Sequence, residues 1–118
     1  EEFFLNLERN YEFAIFNETA IQDRHFHKKA TEIYTVLEGI MFIEVVFRHF
    51  LYFFNISTNF VKQVDSKQFR LESGDSIIVN PNSIHYVESS LSSFLCQVVV
   101  VNCFGVEDKY IVQKREKA

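Results

Sequence analysis

Apolar and polar residues alternate along most of this chain, and clusters of turn-forming residues interrupt the alternation about every ten positions. Successive side chains of an extended strand point to opposite faces, so the pattern predicts strands that bury one face. Ten segments fit it: 12–16, 21–27, 32–37, 41–47, 50–56, 60–64, 68–71, 76–79, 84–88 and 94–103. All are rich in β-branched and aromatic residues. Turns are expected at Leu37-Glu38-Gly39, 55–59, Val64-Asp65-Ser66-Lys67, Ser73-Gly74-Asp75 and Asn80-Pro81-Asn82-Ser83. The one helical turn expected lies at 106–111, and the polar tail from 114 to 118 is expected to fray. Short strands at this spacing point to an all-β sandwich or barrel. No repeat, low-complexity tract or linker divides the 118 residues, so 1–118 reads as a single domain with its barrel core over 21–112.

Composition sharpens the picture at three points. Fourteen Phe and five Tyr against one Pro and three Gly suit packed sheets and argue against disorder. A formal charge of -4, with acidic residues spread along the chain, leaves no basic footprint for nucleic acid. The apolar run 40–54 is broken by Glu44, Arg48 and His49 and is shorter than the roughly 20 residues that span a bilayer, so no membrane partner is expected. No charged-then-apolar leader opens the chain, although Glu1 in place of a methionine suggests a trimmed N-terminus. Cys96 and Cys103 read as members of one strand, which would hold their Cα atoms about 23 Å apart, too far for a disulfide. Two free thiols point to a reducing, cytoplasmic setting. The triplets Asn17-Glu18-Thr19 and Asn55-Ile56-Ser57 occur at chance frequency and do not argue for secretion.

The chemistry concentrates in His25-Phe26-His27-Lys28-Lys29-Ala30-Thr31-Glu32 and in the distant His85, which together hold three of the four histidines. His25 and His27, one residue apart, face the same side of a strand. The offset from His27 to Glu32 is odd, so the intervening 28–31 must turn or bulge to bring the carboxylate back to that side. His85 is expected to arrive from an adjacent antiparallel strand. Three imidazoles and one carboxylate suit Fe, Mn, Ni, Cu or Zn as a divalent ion and make a poor calcium site. Tyr34 shares the alternation of Glu32, and Glu44 stands in an apolar strand. Both are candidate catalytic residues, with core packing and a solvated face as the competing readings. His49 reads as an ordinary polar residue and Cys96 as core packing, and Lys28 and Lys29 as solvated loop positions that could steer an anion.

These intervals resemble the cupin superfamily. Its first motif is His-x-His, three or four residues, Glu, six residues and Gly, which His25, His27, Glu32 and Gly39 match. Its second motif is followed more loosely by Gly74, Asp75, Pro81 and His85. Ser83 stands where the family prefers Gly, the interval to His85 is one residue short, and Thr19 replaces an upstream glycine. The stretch between the motifs exceeds that of minimal cupins, which suggests an extended hairpin around 50–62. The resemblance implies a jelly-roll fold, His25, His27, Glu32 and His85 as metal ligands, and a homodimer. Val36, Phe42, Val79 and Val98 are expected to line the cavity.

The function expected is that of a small metalloenzyme of dioxygenase type acting on an oxygen-rich small molecule. Sugar isomerase or epimerase chemistry would require a proton-transferring base. A non-catalytic ligand sensor, or a structural role like that of seed-storage cupins, belongs to a different class of function.

Overall fold

The computed structural model describes residues 11–53, 60–103 and 108–115, with the backbone alone described at 47–53 and 60–65. Among these residues there are eight strands and no helix: β1 (Tyr11–Asn17), β2 (Arg24–His27), β3 (Thr31–Phe53), β4 (Phe60–Glu72), β5 (Ser76–Val79), β6 (Ile84–Glu88), β7 (Phe94–Val101) and β8 (Lys109–Gln113). They pair in the order β1-β7-β3-β6-β2-β8, and β4 and β5 also pair with β3. No helix of the described residues is long and apolar enough to cross a membrane.

β3 organises the molecule because it belongs to both halves of the curled sheet. Its first part pairs with β5 and β7, and its later part pairs with β6 and β4. Where the two parts meet, Val36 faces Cys96 and Glu38 faces Leu95, so Leu37 is an extra residue, a β-bulge. Gly39 follows at φ +80, and a Cβ there would collide with the Ser93 carbonyl oxygen, so glycine is required. The turn expected at Leu37-Glu38-Gly39 is therefore a bulge inside one continuous strand.

The bulge inverts the alternation. Before it, the even positions Glu32, Tyr34 and Val36 are buried, whereas after it the odd positions Met41, Ile43 and Val45 are. Plain alternation placed Phe42 among the cavity residues, but the extra residue turns it to the other face, where it is half-buried. Val36 and Val79 lie in the core with Met41, Ile43, Leu71, Val87, Phe94 and Cys96, and Val98 packs against them.

Other local expectations yield to pairing. Val64-Asp65-Ser66-Lys67 is no turn, since β4 runs through it opposite β3 with only a register shift between Val46 and Arg48. The same ladder reaches Tyr52↔Val61 and Phe53↔Phe60, forming the extended hairpin whose tip lies outside the described residues. The helical turn expected at 106–111 is contradicted over 109–111, where β8 pairs with β2, while 104–107 lie outside the described residues. Tyr110, Ile111 and Val112 are β-formers in sequence, and pairing with β2 decides their conformation. Nor does the tail fray at once: the Arg115 backbone N–H donates to Asp23 Oδ1 at 2.8 Å and its guanidinium to Glu88 Oε2 at 2.8 Å. β7 ends at Val101, so Cys103 lies past a left-handed Asn102 (φ 63) and outside the strand expected to contain it. Both cysteines are buried.

Candidate metal centre

The strands that carry the histidines explain their convergence. In β2, His25 and His27 face inward while Arg24 and Phe26 face outward. Phe26 stacks on Tyr110 of β8 with ring centroids 5.3 Å apart. His85 of β6 lies directly opposite His25 in antiparallel register. Between β2 and β3 the chain leaves the extended conformation over 28–30. Asp108 Oδ2 accepts the backbone N–H groups of Lys29 (2.7 Å) and Ala30 (3.0 Å), which shapes that excursion. The odd offset from His27 to Glu32 is thereby corrected, and the carboxylate enters the same interior.

Four side chains meet there. One donor atom from each of His25, His27, Glu32 and His85 lies within 4.8 Å of all the others. Glu32 Oε1 is the hub, 2.5 Å from His85 Nε2, 3.1 Å from His27 Nε2 and 3.8 Å from His25 Nε2. His27 is the most accessible of the four, its side chain 13% exposed against 7% or less for the others.

Proton accounting shows what such a cluster can hold. His25 Nδ1 and His85 Nδ1 face the backbone carbonyls of Asp23 (2.7 Å) and Ser83 (2.8 Å). A carbonyl only accepts, so each Nδ1 carries the hydrogen, and in the neutral ring Nε2 presents a bare lone pair. Those lone pairs point at a carboxylate oxygen that is also an acceptor, and His27 Nε2 is buried with no hydrogen-bond partner. Positive charge must lie between them, as a proton or a metal ion. Carbonyl-fixed imidazoles with inward Nε2 atoms are how proteins orient histidine ligands, so the residues fit a divalent ion and could hold one.

Burial and charge set the ionisation of the cluster. Burial, with the neighbouring His85, lowers the His25 pKa to about 4, so this ring stays neutral. Burial also acts to lower that of His27, but the Glu32 carboxylate and then Asp108 outweigh it and hold it above its ordinary value. Burial disfavours the Glu32 carboxylate, yet His27 and His85 override this and keep its pKa well below the usual range. Tyr34 is driven far above its ordinary value, by burial first and by the Glu32 charge second, and remains a phenol.

A profile of the cupin family matches residues 11–109. The chain belongs to that family. No curated protein matches its sequence. Solved structures share its fold at low identity. An uncharacterised protein with a double-stranded β-helix domain from Klebsiella pneumoniae is 16% identical, with a TM-score of 0.58 over 90% of this chain and 77% of that one. Hazelnut (Corylus avellana) vicilin is 18% identical with a TM-score of 0.61, over 86% of this chain but only 26% of the vicilin. Pac13, a nucleoside dehydratase, is 17% identical with a TM-score of 0.59, over 92% and 72%. These likenesses concern the jelly-roll fold.

The departure of this cupin in its second motif now has a local explanation. The left-handed position in the bend before β6 is Asn82 (φ 68), a residue type that tolerates it, so Ser83 need not be glycine. The Asn82 N–H donates to the His27 carbonyl at 2.6 Å, tying this bend to β2. The Ser83 carbonyl then serves His85. Gly74 (φ 94) forms the tight turn expected of it, closed by the Asp75 N–H donating to the Glu72 carbonyl at 2.9 Å.

The remaining candidates separate. Tyr34 reaches the cluster, its hydroxyl 3.3 Å from Glu32 Oε2. Glu44 does not. It pairs in register with Tyr86 on the outer face, 3.4 Å from Arg24 Nη2, and accepts a hydrogen bond from Ser66 Oγ at 3.5 Å. The bulge at Leu37 is what turns it outward. The Lys28 ammonium lies over the Tyr110 ring at 4.5 Å. Burial pushes the Cys96 thiol up to about 12, leaving it unreactive. The His49 side chain lies outside the described residues. An open cleft lined by Glu18, Glu38, Ser93 and Leu95 shares no residue with the cluster.

Sequence reasoning missed Gln22, Asp108 and the carbonyls of Asp23 and Ser83. Asp108 lies 79 positions from Lys29, and no local pattern announces the contact. The carbonyls follow a rule that could have found them, since each belongs to the residue two before its histidine.

Proposed function

We propose that this cupin is a metalloenzyme holding one divalent transition-metal ion on His25, His27, Glu32 and His85, with dioxygenase-type chemistry on an oxygen-rich small molecule. The observation that carries the proposal is the set of inward Nε2 atoms around one carboxylate oxygen, with His27 Nε2 buried and unsatisfied. Such an ion supplies Lewis acidity and a place for a substrate oxygen. The chain's own residues hold the donors apart from water, keep His25 neutral and leave an approach on the His27 side. Dioxygenase chemistry is preferred to isomerisation because the cluster offers no separate base: Glu44 is turned outward and Tyr34 remains protonated.

Oxygen uptake tests this reading. Iron-, manganese- and nickel-loaded protein is offered catechols, enediols and hydroxy or keto acids in an oxygen electrode. Metal-dependent uptake with one of these classes is expected. Turnover that survives full metal removal would end the proposal, and tight binding of a compound that emerges unchanged would favour a ligand sensor.

The assembly proposed is a homodimer joined across the outer face of β1, β7, β3 and β5. Phe13, Ile15 and Ile78 are 66%, 54% and 60% exposed there; Val99 and Ile33 lie between Phe13 and Ile78 in register, and Gln97 and Thr35 continue the row of Ile15. No charged residue interrupts these rows, so a second copy of the same uncharged face is the fitting partner. Analytical ultracentrifugation should report two chains for the wild type and one for Phe13→Asp/Ile78→Asp; a monomeric wild type would refute the dimer.

A further inference from the structure

The two oxygens of Glu32 have different surroundings. Oε1 faces the three imidazoles. Oε2 faces the Tyr34 hydroxyl, which is fully buried and also lies 3.3 Å from Gln22 Nε2.

The direction of each hydrogen in this chain can be deduced. The Val87 backbone N–H can only donate, and it donates to Gln22 Oε1 at 2.6 Å. That contact fixes the Gln22 side chain with its carbonyl oxygen towards β6 and its NH₂ towards Tyr34. The NH₂ donates to the Tyr34 oxygen, so the phenolic hydrogen cannot point back at Gln22. The acceptor left to it is Glu32 Oε2. Val87, Gln22, Tyr34 and Glu32 thus form one series of donors that all run towards the carboxylate, anchored at its far end by a strand backbone.

We infer that Tyr34, oriented by Gln22, is a positioning residue that commits Glu32 Oε2 to a hydrogen bond and leaves Oε1 as the carboxylate's single donor to a metal. The inference rests on the metal-binding reading above. Its consequence concerns open positions. A carboxylate can give a metal one oxygen or two, and a Glu32 restricted to one makes four protein donors in all. An octahedral ion then keeps two positions for small molecules. A carboxylate free to give both oxygens would occupy one of them. Without its donor, Oε2 would be a buried, charged acceptor left unpaired, a costly state, and the nearest positive charge available to it is the ion.

The test uses Mn(II) as the probe metal, on the full chain and on Tyr34→Phe. Bound manganese is quantified first, and inner-sphere waters are then counted from ¹⁷O-water relaxation. The wild type should bind Mn(II), and Tyr34→Phe should bind it with about one inner-sphere water fewer per ion. Gln22→Leu, which releases Tyr34 without removing its hydroxyl, should fall between the two. Equal water counts in wild type and Tyr34→Phe would overturn the inference, because a phenol that merely packs would not change them. Should Tyr34→Phe not fold, infrared bands of ¹³C-Glu-labelled wild type decide: a wide separation of the carboxylate stretches on Mn(II) loading reports one-oxygen donation, and a narrow one refutes it. A wild type that binds no Mn(II), Fe(II) or Ni(II) is a different result, failing the metal reading itself.

Discussion

Tyr34 and Met41 stand seven residues apart on β3, both fully buried in one core cluster, yet the hydroxyl end of Tyr34 meets surroundings built on a different principle. Around Met41 the interior is hydrocarbon: Ile43, Leu71, Phe94 and Cys96 belong to the same core and ask nothing of one another but close contact. On the other side of the bulge, Glu32 and His85 are buried beside Tyr34, and a polar atom there is tolerable only because something holds it. Asp23 and Ser83 supply carbonyls, Gln22 and Asp108 supply orientation, and the charge between Glu32 and the imidazoles is still left to a proton or a metal. One region is complete as folded and the other could hold an ion. Tyr34 joins the two, its ring in the core and its hydroxyl on Glu32.

The comparison breaks most visibly in the apolar region. Met41→Ala should cost about 2–5 kcal/mol of stability, read by denaturant unfolding, and by the same amount with and without metal. In the polar region stability should depend on the ion. At a free metal concentration of 100 times Kd the wild type should gain about 2.7 kcal/mol, and His85→Ala should gain almost nothing in the same titration. Equal metal responses in the two proteins would erase the distinction.

pH sharpens the contrast, because a proton and a metal compete for the same nitrogens. His27 is held above its ordinary value of 6.5. Its imidazolium therefore stabilises the metal-free protein fully below 6.5, and that stability is lost as pH rises through the raised folded value. Metal affinity runs the other way, rising over the same interval as His27 gives up its proton. His25, already neutral down to about 4, adds nothing to the trend. Isothermal titration from pH 6 to 8 should show this increase, and a flat profile would contradict the role given to His27. The smallest effect is expected at Asp108. Asp108→Asn weakens the grip on the 28–30 excursion and removes a charge that acts on His27, and should lower metal affinity by roughly 10-fold, measured by chelator competition.

Much of this architecture was legible in the chain. Alternation found most of the strands, and the spacing of His25, His27, Glu32 and His85 singled out the residues that the fold brings together. What stayed hidden depended on long-range pairing. Leu37-Glu38-Gly39 has the chemistry of a turn, and only its pairing with Phe94 and Leu95 makes it a bulge. One extra residue was then enough to misplace Phe42, because a period of two has no memory beyond a bulge. The segment 109–111 reads as weakly helical in isolation and becomes a strand because β2 offers it an edge. Gln22 is a single amide in a loop, and its importance exists only once Val87 and Tyr34 stand on either side of it.

The central claim is that the four convergent side chains hold a metal ion. Its most direct test is elemental mass spectrometry of untagged protein never exposed to chelator, beside a His25→Ala/His27→Ala double variant of confirmed fold. About one equivalent of a divalent transition metal per wild-type chain, absent from the variant, is the result expected. No metal in either protein, with none taken up on reconstitution, would contradict it.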